Sequence, residues 1–184
     1  MLDHSAGAAS VSRVVTPLDL PVLRRVRYFD GRLLTADDLT TEQEYHRERV
    51  RLHNRLLHGW GIVAGLDVRS RGGTIIVAPG MALDPRGEEI VLVAETELTA
   101  PPSATPKGSR FVVLFYTETL TDPVAVAHTG DTTTEYTRIQ LGARCEVHET
   151  IPSPAGGGVT IARLIWRTSQ WRVDKRFKRR RVTR

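Results

Sequence analysis

The sequence predicts an α+β fold: an extended N-terminal arm, one long N-terminal helix packed on an antiparallel β-sandwich or open barrel, and a basic C-terminal tail. Three observations predict it. Residues 36–58 contain neither Gly nor Pro and lie between clear start and stop signals. Everything after them breaks into short apolar or alternating runs separated by turn residues, the texture of antiparallel sheets. The 184 residues are 40% hydrophobic and 26% charged, enough to bury a core and far from a disordered or collagen-like composition.

Residues 1–21, small and polar with Pro17 and Pro21, read as an extended or flexible arm. A single domain is expected over 22–174. Leu23 to Phe29 has strand length, and Asp30-Gly31 is a favoured turn pair. Thr35 then offers a helix cap with Asp38 three residues on, a capping box in which Asp replaces Glu, and Gly59 and Gly61 supply the stop. The resulting helix, about 36–58, would be roughly 34 Å long.

On a helical wheel Leu39, Val50 and Leu57 fall within about 20° of one another. Tyr45, Leu52 and Leu56 form a second cluster about 120° away, with His46, Arg49 and His53 between them. Glu44, Arg47, Glu48, Arg51 and Arg55 take the other side. So wide an arc suits a helix seated on its own β-domain along one flank and on another chain along the other, or else one bedded in a deep intrachain groove. His46 and His53 are seven residues apart, about 10.5 Å along the axis, too far to hold one ion together. No metal site and no cofactor are expected.

Strands are expected at 62–69, 74–78, 80–83, 89–94, 110–118, 135–149 with a break, and 159–167. The turns between them are Arg71-Gly-Gly73, Asp84-Pro-Arg-Gly87 and Gly156-Gly-Gly158. Residues 99–109 read as a Pro-rich loop and 120–134 as a polar connection. Trp60 is expected to anchor the turn after the helix onto the core, where Ile75, Val77, Met81, Leu83, Ile90 and Leu92 are candidate positions. The single Cys145 sits in an alternating segment and reads as a buried structural thiol rather than a nucleophile.

The net charge of +5 is local. The last ten residues carry seven basic groups and no acid, leaving the rest at −2. Lys175, Arg176, Lys178, Arg179, Arg180 and Arg181 suit an acidic protein surface; phosphate binding is possible in principle, but Phe177 is the one ring there for stacking. No run of about 18 apolar residues occurs, nor a basic start followed by an apolar block, so a cytoplasmic protein without membrane insertion is expected. No nucleophile elbow, phosphate loop or dinucleotide fingerprint occurs, and His148-Glu-Thr lacks the second His of a zinc-protease motif. The sequence points to no enzyme.

The stretch Tyr28-Phe-Asp-Gly-Arg-Leu-Leu-Thr-Ala-Asp-Asp-Leu39, continuing through Glu42-Gln43, Tyr45 and Leu52-His-Asn-Arg-Leu-Leu-His-Gly-Trp-Gly-Ile-Val-Ala-Gly-Leu66, resembles a segment of proteins associated with phage-tail-like contractile injection systems. Val77-Ala-Pro-Gly-Met-Ala-Leu-Asp-Pro-Arg-Gly-Glu-Glu-Ile-Val91 is similar to the hairpin after that helix in the same proteins. The resemblance implies a structural part of the particle, in the baseplate, fibre-attachment or adaptor layer, with other subunits as partners in an oligomeric assembly. A nucleic-acid-binding protein using the tail, and a cargo or effector of the particle, are the alternative readings. The partner-binding residues expected are Leu39, Tyr45, His46, Arg49, Val50, His53, Leu56, Leu57 and Trp60 on and after the helix, together with the six basic residues of the tail.

Overall fold

The computed structural model describes residues 20–99, 108–128 and 131–182. Most of the expected arm, most of the Pro-rich loop and the last two residues of the tail lie outside these. The described chain is α+β: one helix and ten strands in three antiparallel sheets.

Helix α1, Ala36–His53, starts as the sequence expects. The Asp38 amide donates to Thr35 Oγ1 (3.2 Å) and the Thr35 amide donates to Asp38 Oδ2 (3.1 Å), closing the capping box. These bonds to Thr35 hold the Asp38 carboxyl below its ordinary pKa, and Arg32 beside it adds to the effect. The last turn widens into a π-helical turn, Asn54–His58, before Gly59 stops it at φ 69°. Helical structure therefore ends where expected, but with a changed pitch. The expected strand at 23–29 does not form. Those residues run antiparallel along α1, with the Val26 amide donating to Glu42 Oε2 (3.3 Å), because no strand neighbours them to complete a ladder.

Strands β1 (Gly61–Gly65), β4 (Gly80–Leu83) and β5 (Glu89–Leu92) form one sheet; β2 (Val68–Arg71), β3 (Thr74–Val77) and β6 (Thr96–Thr99) form the second. The third has the order β10-β9-β7-β8, from β7 (Ser109–His128), β8 (Asp131–His148), β9 (Val159–Arg167) and β10 (Gln170–Val173). The expected strand 62–69 is split in two. Gly65 and Leu66 both take positive φ, which turns the chain from one sheet to another. β6 and β10 are additions that the sequence reading did not contain.

The largest correction concerns residues 120–134. They are not a polar connection: β7 and β8 pair without the expected break from Phe111↔His148 out to His128↔Asp131. Thr, Val and Tyr occur along both strands, and β-branched and aromatic residues favour a pleated ribbon even where half the positions are polar. From Glu118 and Leu141 outward this ribbon is two-stranded, and its described residues are exposed except for half-buried Thr121 and Val126.

All three sheets contribute to one core, with Ile62, Ile75, Ile90, Leu114, Ile161 and Leu164 fully buried among its members. Of the candidate core positions, Ile75, Val77, Leu83, Ile90 and Leu92 are buried and Met81 is half-buried. The core Trp is Trp171, not Trp60. Cys145 is buried as expected, and burial pushes its thiol up to about 11.

The helix meets this body at the β4–β5 turn. Buried Asp84 accepts from the amides of Arg86 (2.8 Å) and Glu88 (2.9 Å), which fixes the loop shape and presents Gly87 to the helix. At Gly87 φ is +91°, and a Cβ there would overlap the Arg51 carbonyl. Gly87→Ala is therefore expected to cost about 2 kcal/mol or more in urea unfolding. Gly72→Ala, at φ +57° with open space around it, should cost about 1 kcal/mol. Equal costs for the two would contradict this seat.

Candidate functional site

The side of α1 that faces the β-domain is its polar side. Asn54, buried, donates from Nδ2 to the Gly87 carbonyl (3.0 Å) and to Glu89 Oε1 (3.3 Å). Arg51 donates from Nε to Glu88 Oε1 (2.8 Å) and from Nη1 to Glu44 (2.9 Å), and also pairs with Glu48. Burial disfavours its charge, but these carboxylates outweigh that and raise its pKa above the ordinary value. Arg47 pairs with Glu118 on the ribbon, and the Tyr116 hydroxyl donates to the same carboxylate (2.6 Å). Burial, then Glu118, pushes Tyr116 up to about 12.

This inverts the expected seating. Arg47 and Arg51, on the side opposite the apolar arc, hold the helix to its own domain, and no residue of α1 is buried. The apolar arc faces away. Leu39 is 54% exposed, Val50 48%, Leu56 47% and Leu57 67%. Among the described residues neither a β-domain groove nor a deep intrachain bed covers Leu39, Leu56 and Leu57, while Val50 borders a shallow cleft toward the β7–β8 ribbon. The physical reason is the hydrogen-bonding demand of the β4–β5 turn, whose Gly87 carbonyl and Glu88 and Glu89 carboxylates are satisfied by amide and guanidinium donors and not by Leu.

Part of the second apolar cluster has a cover. Leu23 of the N-terminal segment lies at Tyr45, and also at a shallow groove with Arg49, Leu52, His53, Leu56 and Leu57. Tyr45 and Leu52 are accordingly half-buried, and the Arg49 guanidinium lies 5.7 Å from the Tyr45 ring centroid. His46 is exposed and pairs with Glu42 (3.2 Å); His53 is exposed with its Nε2 3.3 Å from that of His58. Tyr28, Phe29, Leu33 and Leu34, just before the helix, are also exposed.

A further part of the surface escaped the sequence reading. His46, Val50, Tyr116 and Leu141 line one cleft between the helix and the β7–β8 ribbon. Leu120 and Ile139 pair across the ribbon, and alternation puts Ile139 on the same face as Leu141. All three are exposed. The only signal for them in the sequence was the alternating pattern of 135–141, which the reading did not extend through 120–134 as a hairpin. Together these residues make an apolar surface of the kind that soluble chains bury against a partner.

The tail is not a free solvated run over its described length. The Ile62 amide donates to the Arg180 carbonyl (2.9 Å) and the Val182 amide to the Ile62 carbonyl (3.2 Å), so the tail lies parallel beside β1. Arg179 donates to the Leu66 carbonyl and to Asp67 (3.0 Å each). Arg180 donates to the Trp60 carbonyl (2.9 Å), and its guanidinium stacks 4.1 Å from the Trp60 ring centroid. Trp60 thus anchors the tail where it was expected to anchor a turn on the core. Phe177 sits edge-on to Phe111 at 6.2 Å. Gly61 allows the approach: a Cβ there would come within 2.8 Å of the Arg180 oxygen. Lys175, Arg176, Lys178 and Arg181 remain exposed. Among the described residues no three His, Cys, Asp or Glu side chains cluster as metal ligands, and no helix is long and apolar enough to cross a membrane.

The chain matches no family model and no curated protein. Solved structures do share its fold. A chain of the TssK–TssF–TssG baseplate subcomplex of the type VI secretion system is similar over 86% of this chain and 62% of that one, with TM-score 0.54 and 13% identity. TssK in its own crystal structure is similar over 83% of this chain and 41% of that one (TM-score 0.55, 15% identity). A chain of the type VI baseplate complex gives 86% and 60% (TM-score 0.51, 15% identity). This chain thus spans less than two thirds of the length of each, and at these identities the likeness is one of fold.

Because the apolar arc touches little of its own domain, Val50→Asp and Leu57→Asp are expected to shift unfolding free energy by no more than about 0.5 kcal/mol, whereas Ile62→Ala in the core should cost about 3 kcal/mol. Chemical denaturation of the three variants checks this. The hydrogen bond from Tyr116, then Arg47, holds the Glu118 carboxyl below its ordinary 4.5. Its contribution is present above that value and lost as pH falls through the lower folded value. Stability should therefore decline more steeply below about pH 4.5 in the parent than in Glu118→Gln. Parallel pH curves would show that the helix–ribbon contact does not depend on this charge.

Proposed function

We propose that this chain is a structural assembly component of a phage-tail-like contractile injection particle, in its baseplate, fibre-attachment or adaptor layer. The observation that carries the reading is the orientation of α1: its polar side is fastened to its own domain and its apolar arc is turned outward. A helix held in that way is a rigid rod offering Leu39, Val50, Leu56 and Leu57 to another subunit. The ribbon face around Leu141, Ile139 and Leu120 extends the same contact. The likeness of fold to chains of type VI baseplate assemblies supports the class of particle, as does the resemblance of residues 28–66 and 77–91.

Assembly in this reading is passive docking and uses no catalytic residue. Exposed Lys175, Arg176, Lys178 and Arg181 meet an acidic surface of a neighbour, while Arg179 and Arg180 keep the tail in place. The chain works in the cytoplasm, as one of several copies in the particle.

The test is incorporation. Particles purified from cells expressing the parent chain or the Val50→Asp/Leu57→Asp double variant are compared by quantitative mass spectrometry and electron microscopy. The parent is expected at a fixed ratio to the other structural subunits, and the double variant, folded and soluble, at least tenfold depleted. Normal incorporation of the variant would refute docking through this face, and a parent content that varies between preparations would identify cargo instead.

A further inference from the structure

We propose that His53 and His58 form a two-imidazole site for a late first-row divalent cation of the Zn2+, Ni2+ or Cu2+ class. This goes beyond the assembly reading and does not rest on it. His53 closes α1 and His58 closes the π-helical turn that follows. Five residues on in a regular α-helix would leave the second side chain about 140° around the axis from the first. The wider π turn undoes most of that rotation and stacks the two imidazoles on one side of the helix.

The pair has the geometry of shared ligation. The two Nε2 atoms are 3.3 Å apart, and the ring centroids are 5.1 Å apart with planes tilted by 59°. Two imidazoles at tetrahedral positions around one ion, each about 2.0–2.1 Å from it, have their nitrogens about 3.3 Å and their centroids about 5.2 Å apart. A linear N–H···N bond of the same length would instead separate the centroids by about 5.6 Å. The observed separations match those of two imidazoles sharing an ion more closely than those of a linear bond.

The surroundings permit binding. Both imidazoles are exposed, so an ion reaches them without unfolding the turn. Arg49, the cation one turn before His53, has its guanidinium near Tyr45. Among the described residues no third His, Cys, Asp or Glu completes a cluster with them, which leaves the other coordination positions to water. A neutral imidazole pair of this kind selects late transition metals over Mg2+ or Ca2+, which prefer oxygen ligands.

The experiment is calorimetric titration of the untagged full chain with Zn2+, alongside His53→Ala, His58→Ala and His46→Ala. The expected result is one ion per chain, at least tenfold weaker binding in each of the first two variants, and unchanged binding in His46→Ala, which removes the exposed His paired with Glu42. Circular dichroism of the variants should match the parent, since neither side chain is in the core. Absence of Zn2+ binding to the parent, or binding that survives either His53→Ala or His58→Ala, would overturn the site and leave the two rings as a hydrogen-bonded pair. A failure of the incorporation test would not affect this result.

Discussion

Where the β4–β5 turn touches the helix, three things are fixed at once. Asp84 shapes the loop from a buried position, Gly87 removes the side chain that would hold the helix off, and Asn54 and Arg51 satisfy the loop's carbonyl and carboxylates. Each group needs the others. Without Gly87 the helix backbone cannot come close enough for Asn54 to reach, and without Asn54 and Arg51 the loop's acceptors lose their donors in a half-dry contact. Because this joint is polar, it spends the hydrophilic side of α1 on the molecule's own domain. The apolar side is left to face outward, and the candidate docking surface follows from that.

The other contacts extend the same arrangement. Arg47 and Glu118 tie the helix to the root of the β7–β8 ribbon, so the cleft lined by Val50 and Leu141 has a defined width. The segment before the helix lays Leu23 over part of the second apolar cluster and leaves Leu56 and Leu57 exposed. At the far end of the helix the tail lies parallel to β1, with Arg180 stacked on Trp60. The basic residues thus divide into those that hold the tail down and those that remain available for an acidic neighbour.

How much of this was legible in the sequence depended on whether the signal was local. The capping box at Thr35 and Asp38, the stop at Gly59, the turns at Gly72 and Asp84, and most core positions are set by residues close together in the chain, and all could be read. The orientation of α1 could not. Apolar clusters on a wheel say that a helix has two kinds of side, and only the partner's chemistry decides which turns inward; here that partner, the loop at Gly87, lies over thirty residues away. The ribbon was missed for a related reason. Its outer Thr-rich strands bury little, so the apolar alternation by which strands are recognised is confined to 135–141, although their β-branched residues suit the pleat. The tail's fate was set by Gly61 and Trp60, over a hundred residues earlier, through contacts that charge alone does not reveal.

The ribbon has one more consequence. Strand pairs free of a larger sheet coil more strongly than strands held within one. Beyond the end of β9, the line from Leu141 through Ile139 and Leu120 out to exposed Val124 must therefore wind around the long axis of β7 and β8, and its outer end points along a different bearing from its root beside the helix. A neighbour that followed this spiral would be gripped as a nut is on a screw thread, resisting both sliding and swivelling, as a flat patch of equal area would not.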